Sequence, residues 1–316
     1  MESLQKTKSR IKAVKNIGQI TKAMEVVAAT KMRKSQQVAL NSRPYAFKAL
    51  QLLSVLAKHA PIKTKLIQAR PVKNTLLVIV TSDRGLAGSF NSQVLRLADS
   101  FLKSYKEAGG ENSLKVISVG KKAISYAEKK KLNLTDRFSG FGDFIESAKT
   151  IQLSDRIISG FLNKDWDRVM TISTHFRSTL KQEVLMRQVL PVDLDKIQNT
   201  INEIIPEHGR FSELRITNYL PAQAGESRIT NPDYIFEPSP KELIGGLVEH
   251  LMKMQIYDLI LEANASEHSA RMVAMKTASD NAKELSGKLN LEYNKARQAG
   301  ITKELIEITS AVNTLS

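Results

Sequence analysis

Residues 241–316 contain no proline, and that single stretch limits the fold more than any other feature of the chain. As one helix rising about 1.5 Å per residue, it would run about 110 Å, several times the diameter of a small domain. A compact globule cannot enclose such a helix. If its apolar stripe is narrow, it needs a second helix alongside. The stripe reads Leu243, Leu247, Leu251, Met254, Leu261, Ala265, His268, Met272, Met275, Ala282, Leu285, Leu289 and Ala296, and resumes at Leu305, Ile308 and Val312. Ser239-Pro240 followed by Glu242 marks its start. The partner is at the other end of the chain. Residues 1–43 hold no proline and one glycine, Gly18, and Leu4, Ile11, Val14, Ile17, Ile20, Met24 and Val27 recur at three-four spacing. Pro44 is expected to bend or loosen this first helix, because it lacks a donor and crowds the preceding turn. The two ends are thus predicted to form an antiparallel coiled coil.

The middle reads differently. Thr75–Ser82 is a short β-type apolar run, followed by a glycine-containing turn and an amphipathic stretch, Asn91–Ala108. Leu114–Val119 repeats the pattern with Lys121–Lys131 behind it. Glu146–Leu162 reads as a helix, Arg168–Thr174 as another strand and Glu183–Leu190 as a fourth. This alternation predicts a small, Rossmann-like α/β domain with a largely parallel sheet. The organisation expected is a helix over 1–58, a linker over 59–73, the α/β domain over 74–192, a proline-punctuated connecting segment over 193–237 and the last helix over 238–316.

The chain carries 47 Lys+Arg against 32 Asp+Glu, a net charge of +15. Up to residue 73 there are 16 basic residues and only two acids, Glu2 and Glu25, so nearly the whole excess lies in the first quarter. That surplus repels itself unless an acidic partner compensates it. Lys6, Lys8, Arg10 and Lys12 alternate around a helix, which is not the one-sided basic face of a membrane-surface helix. No aromatic residue precedes Tyr45, so nothing there can stack on bases. An acidic protein surface is the expected partner. The longest unbroken aliphatic run is Leu76–Val80, far short of the ~20 residues of a spanning helix, and basic residues stand where a signal peptide needs an apolar core. Without cysteine there is no disulfide, thiolate metal site or cysteine nucleophile.

Chemical motifs are scarce. The turn Ser82–Ser89 stands where a nucleotide fold carries its phosphate loop, but it lacks the Lys-Ser/Thr ending of a Walker A sequence and the three glycines of a dinucleotide fingerprint. It reads as a structural turn, with Asp83 and Arg84 as a stabilising pair rather than catalytic groups. The histidines at 59, 175, 208, 250 and 268 form no HExxH and no close metal-spaced pair, and no GxSxG elbow occurs. His250 and His268 are expected at the surface or seam of the last helix. No catalytic site, metal or cofactor is expected.

Five segments carry a family resemblance. The runs Ile20–Lys34 (ITKAMEVVAATKMRK) and Ser42–Tyr45 (SRPY), the turn Ser82–Asn91 (SDRGLAGSFN), and Ser266–Lys276 with Tyr293–Leu305 resemble motifs of the gamma subunit of F-type ATP synthase. Ala87 stands where many members have cysteine. The resemblance covers both terminal helices and the α/β middle in the expected order, and the motifs are long and specific.

The resemblance implies a central rotor shaft. Its paired terminal helices would fill the axis of a hexamer of alternating alpha and beta subunits, and its α/β domain would rest on the epsilon subunit and the membrane ring of c subunits. Proton flow would turn the ring and the shaft, with catalysis confined to the beta subunits. By family position, Lys22, Met24, Lys31, Arg33 and Lys34 would face an acidic loop of each beta subunit. Arg297, Gln298 and Thr302 would engage a beta-subunit loop at one rotary angle, and Leu305–Ser316 would sit in an apolar sleeve. Tyr234, Phe236 and Glu237 would form the foot on epsilon and the c ring. The expected setting is one copy per complex, without nucleic acid, peripheral to the membrane. That means the cytoplasmic face of a bacterial inner membrane, or the matrix side in a mitochondrion. Leu194–Asn231 is longer than the family's linker, and without cysteine it is not the redox-regulatory insertion of chloroplast members. A start almost directly at the helix fits a bacterial chain or an organellar one shorn of its transit peptide. Two rivals remain: a nucleotide-binding α/β enzyme, which requires stoichiometric nucleotide binding, and a free-standing nucleic-acid-binding coiled coil, which requires salt-sensitive binding.

Overall fold

The computed structural model describes residues 4–59, 64–110, 113–141, 147–192, 237 and 239–315. The helices are α1 (Leu4–His59), α2 (Phe90–Glu107), α3 (Lys121–Lys129), α4 (Ser147–Leu162) and α5 (Pro240–Leu315). The strands are β1 (Thr75–Val80), β2 (Leu114–Val119), β3 (Leu134–Phe138), β4 (Arg168–Phe176) and β5 (Gln182–Leu190). They form two compact units, one of residues 1–30 with 271–316 and one of residues 31–270. No described helix is long and apolar enough to cross a membrane.

In the first unit, α1 buries Thr7, Ile11, Thr21 and Ala28, with Val14 and Gly18 half-buried between them. As far as Thr21 these positions step by four and three residues in turn, and Ala28 follows one heptad later, the 3.5-residue repeat of a left-handed coiled coil. On α5 the matching positions are Met275, Ala282, Ser286 and Leu289. The close approach is at Gly18, where an added Cβ would stand 3.4 Å from the Cβ of Ala282. Here Ser279 Oγ donates to the Gly18 carbonyl at 3.4 Å. This seam corrects the apolar stripe expected from sequence. Ile17, Ile20 and Val27 face outward at 54%, 60% and 53% exposure, while threonine, glycine and alanine line the contact. Small side chains let two backbones approach closely, whereas three-four spacing of bulky residues also describes the flank of a seam. Leu285, expected in the α5 stripe, is likewise exposed.

In the second unit the sheet order is β3-β2-β1-β4-β5, parallel throughout except for the antiparallel β4–β5 hairpin. Every residue of β1 is buried, as a continuous aliphatic run in a doubly covered parallel strand should be. Its odd-numbered residues Leu77 and Ile79 pack with Val94 and Ala98 of α2 and Ala123 of α3. Its even-numbered residues Leu76, Val78 and Val80 pack with Leu153, Ile157 and Phe161 of α4 and with α5 from Ile244 to Ala263. Ala49, Leu53 and Leu56 bring the end of α1 into this second core. The helical assignment of α1 continues through Pro44, where a bend or loosening was expected. Tyr45 and His250 meet edge to face at 5.4 Å. Partner numbers on α5 thus fall from 282 at Gly18 to 250 at Tyr45, so the two terminal helices run antiparallel.

β3 adds a fifth strand to the four read from sequence. Ion pairs from Arg156 to Asp136 (2.9 Å) and from Arg137 to Glu128 (3.3 Å) secure it to its helices. The chain entering β1 is tied by a buried carboxylate. Asp167 accepts from Arg70 Nε at 2.6 Å and from the Lys73 and Asn74 backbone N–H groups at 3.0 Å each. Burial alone would raise the Asp167 pKa, but the two backbone donors and the Arg70 guanidinium outweigh it and hold the group below its ordinary range.

Candidate functional site

In an open α/β sheet, ligands bind outside the carboxyl ends of the strands, often at a helix N-terminus that attracts anions. This chain fills that place with its own groups. Asp83, just past β1, accepts from the Lys121 N–H at the start of α3 (3.0 Å) through Oδ1, and from the Gly140 N–H (2.8 Å) through Oδ2. Thr81 Oγ1 accepts from the Ala123 N–H at 2.8 Å. The anion position of α3 therefore holds a carboxylate of the same chain. Asn91 and Ser82 bind each other across the turn, Nδ2 donating to Oγ at 2.7 Å, while Asn91 Oδ1 accepts from the Ser82 N–H at 3.0 Å. Gly120, at φ 92°, cannot carry a side chain, because its Cβ would run into the Thr81 carbonyl. The turn read from sequence as structural is built as one, and Asp83 works by bracing α3.

α5 closes the remaining space. A cavity of about 20 Å³ is left between Thr81, Asp83, Phe90 and Gly120 on the sheet side and Asn264 and Glu267 on α5. Among the described residues that is room for about one water. Asn264 lies over this crevice and donates from Nδ2 to the Phe141 carbonyl at 2.8 Å.

The residues singled out by sequence lie on the helices. Lys22 is exposed and pairs with Glu25 at 3.0 Å, and Met24 beside them is half-buried. Both belong to the first unit, as do Arg297, Gln298 and Thr302, all exposed on α5. Gln298 and Thr302 share a helix face, and the Thr302 hydroxyl donates to the Gln298 carbonyl at 2.9 Å. Because Gly18 pairs near Ser279 and Ala282 and the helices run antiparallel, these three stand about 34 Å along the axis from the level of Lys22. The two groups are separate stations, not one site. Lys31 is half-buried and Arg33 and Lys34 are exposed on the part of α1 that belongs to the second unit. Glu237 is exposed just before α5, and Tyr234 and Phe236 lie outside the described residues. Beyond Tyr293 the described side chains of α5 are almost all exposed, with Leu305 at 57% and Ile308 at 61%.

Sequence reasoning missed one buried polar cluster. His175 of β4, 2% exposed, meets Glu262 of α5 through Nδ1 at 2.8 Å, and Arg187 of β5 stands 3.6 Å from the same carboxylate oxygen. His268, expected at the surface or seam, is buried in the same stretch of α5, whereas His250 is exposed. With 87 residues between His175 and Glu262, no local motif could announce the pair.

A family model described as "ATP synthase" matches residues 3–315. The ATP synthase gamma chain of Roseiflexus castenholzii is 37% identical over the whole of this chain and 99% of its own length. That of Geotalea daltonii is 36% identical with the same coverage. Among solved structures, a chain of the Euglena gracilis mitochondrial ATP synthase (OSCP/F1/c-ring, rotational state 3) superposes with a TM-score of 0.59 at 17% identity, covering 99% of this chain and 94% of that one. A chain of the Tetrahymena thermophila mitochondrial ATP synthase central stalk and c ring gives 0.55 at 23% identity, covering 82% and 99%. These structures share the fold, and the gamma-chain relatives share the sequence from end to end. A family match over residues 3–315 and gamma-chain relatives that align from end to end place this chain, with its long terminal helices and its α/β sheet, in the ATP synthase gamma-chain family, the non-catalytic central-stalk subunits of F-type ATP synthase.

Proposed function

We propose that the chain transmits torque through two kinds of surface, a basic helix that turns inside the alpha–beta hexamer and an α/β foot held by the epsilon subunit and the c ring. The observation that carries this reading is the seam of the first unit. Its small and polar residues allow a slim helix pair, leaving Lys6, Lys8, Arg10, Lys12, Lys15 and Lys22 exposed on its outside. Exposed, mobile charges interact weakly and without interlocking, so such a shaft can pass several similar acidic surfaces in turn. Lys22, Met24, Lys31, Arg33 and Lys34 form the lower contact with the beta subunits, and Arg297, Gln298 and Thr302 the upper one. The exposed apolar side chains from Leu305 onward suit an apolar sleeve at the top of the hexamer. Tyr234, Phe236 and Glu237, at the end of the connection over 193–237, add to the contact of the foot with epsilon and the c ring. The functional parts are then residues 1–58 and 238–316 as shaft, 74–192 as foot, and 59–73 and 193–237 as connections. One copy serves each complex, without nucleic acid, on the cytoplasmic face of a bacterial membrane or the matrix side of a mitochondrial one.

Purification from native membranes in mild detergent tests the assembly. Recovery with three alpha and three beta subunits per copy, together with ATPase activity, is the expected result, and recovery alone or with nucleic acid would overturn it. Met24→Lys tests the lower contact. The added ammonium would form a charge-assisted bond to an acidic loop. ATP hydrolysis should then continue while ATP-driven proton pumping falls severalfold. Unchanged pumping would mean that Met24 does not face that loop.

A further inference from the structure

Along one face of α5, Glu262, Ser266 and Ser269 recur at i, i+4 and i+7, and the first and last of them meet the β4–β5 hairpin. Glu262 binds His175 and faces Arg187. About two turns on, Ser269 Oγ donates to the Thr179 carbonyl at 2.6 Å and accepts from Gln182 Nε2 at 3.3 Å. All three α5 residues are buried, at 7% exposure or less, where the apolar core along α5 gives way, past Ala263, to a buried polar stretch. For stability alone this is a poor choice. Burying charged groups is costly, and Glu262 Oε1, His175 Nε2 and Ser266 Oγ have no hydrogen-bond partner among the described residues.

The cluster does supply direction. Apolar packing is non-directional, so a helix held by it alone can slip to a neighbouring set of contacts. A hydrogen bond fails outside a narrow range of distance and angle, and a buried carboxylate cannot leave its partners cheaply. We propose that Glu262, seconded by Ser269, is a positioning residue that keys α5 to the β4–β5 hairpin, so that a turn of the sheet becomes a turn of the helix and not a slip between them. The hairpin grips both strands of the key. His175 and Arg187 come from β4 and β5, and Thr179 and Gln182 come from their connection and the start of β5. This inference rests on the reading that the α/β domain takes up torque from the c ring.

The test uses the complete complex in vesicles, with protons pumped and ATP hydrolysed measured together. Glu262→Leu should lower the protons pumped per ATP at least threefold while hydrolysis stays within twofold of native. Glu262→Gln, which keeps the shape and the acceptor for His175, should recover more than half of the ratio. A native ratio in the Leu variant overturns the key, because a merely structural loss would lower yield and melting temperature without changing the ratio. If the Leu variant does not assemble, Ser269→Ala decides. A fall in the ratio that grows with the opposing proton gradient supports the key, and a native ratio at every gradient overturns it. Failure of the foot reading shows in the native complex, as loss of the c ring once the hexamer is stripped away. Failure of the key shows only in the variants, with the ring retained.

Discussion

From Leu259 to Ser269, α5 buries every side chain, whereas from Lys276 to Ser310 it buries only Ala282, Ser286 and Leu289. The same helix is a core element in one unit and half of a two-helix seam in the other. A helix buried all round is held by its surroundings and loses stability wherever a contact is cut. A helix buried along one line depends on its own propensity and on a few close approaches. The two halves should therefore respond to substitution in opposite ways, and four changes measure how far the contrast holds.

The largest effect belongs to the buried unit. Trp166 is fully buried beneath α4 and donates from its indole N–H to the Ile157 carbonyl at 3.0 Å. Trp166→Ala should cost about 3–5 kcal/mol, read as a lower urea midpoint of the isolated chain. A cost below ~1 kcal/mol would mean that the core collapses around the gap. Next comes Asp167→Asn, which removes the charge that gathers Arg70, Lys73 and Asn74 and should cost about 2–3 kcal/mol near neutral pH. The native pKa of Asp167 is depressed, so its contribution is present above the ordinary value of 3.8 and is lost as pH falls through the lower native value. The difference between native and Asn chains should shrink in urea melts between pH 5 and pH 2. A constant difference would place the effect in shape and not in charge.

The shaft half should behave otherwise. Gly18→Ala puts a Cβ at ordinary contact distance from Ala282, and alanine favours the helix over glycine by about 1 kcal/mol. The variant should match native stability or exceed it by up to ~1 kcal/mol in thermal melts. Clear destabilisation would mean that the seam is tighter at this crossing than a methyl group allows. The smallest effect is expected from removing residues 306–316. Ile306 and Ile308 are exposed at 59% and 61%, so the melt of the isolated chain should shift by less than ~0.5 kcal/mol. A larger shift would show that the tip packs on this chain after all.

Much of this contrast was legible in the sequence. The proline-free ends announced the helices, and β1, β2 and β4 stood out because strands buried on both faces are aliphatic nearly throughout. β3 did not, since an edge strand with Asp136 and Arg137 is half polar and resembles a loop. The seam was misplaced because Thr7, Gly18, Thr21 and Ala28 carry little hydrophobic signal, while Ile17, Ile20 and Val27 beside them carry much. The inward role of Asp83 and the His175–Glu262 pair depend on contacts 38 and 87 residues apart, which no spacing rule reaches. The contact residues proposed along the helices rest on family motifs alone, because an exposed lysine looks the same whether or not a partner awaits it.

The pairing of Gly18 with Ser279 also has a history in time. The two residues lie 261 apart, so at 5–20 residues per second a ribosome needs about 13–50 s to make the second after the first. Throughout that interval the first half of the seam has no mate. A leucine-rich line left bare for so long would invite aggregation. Thr7, Gly18, Thr21 and Ala28 tolerate water, and the basic residues around them keep nascent copies apart. The weak hydrophobicity that hides the seam from a reader of the sequence also protects the unfinished chain.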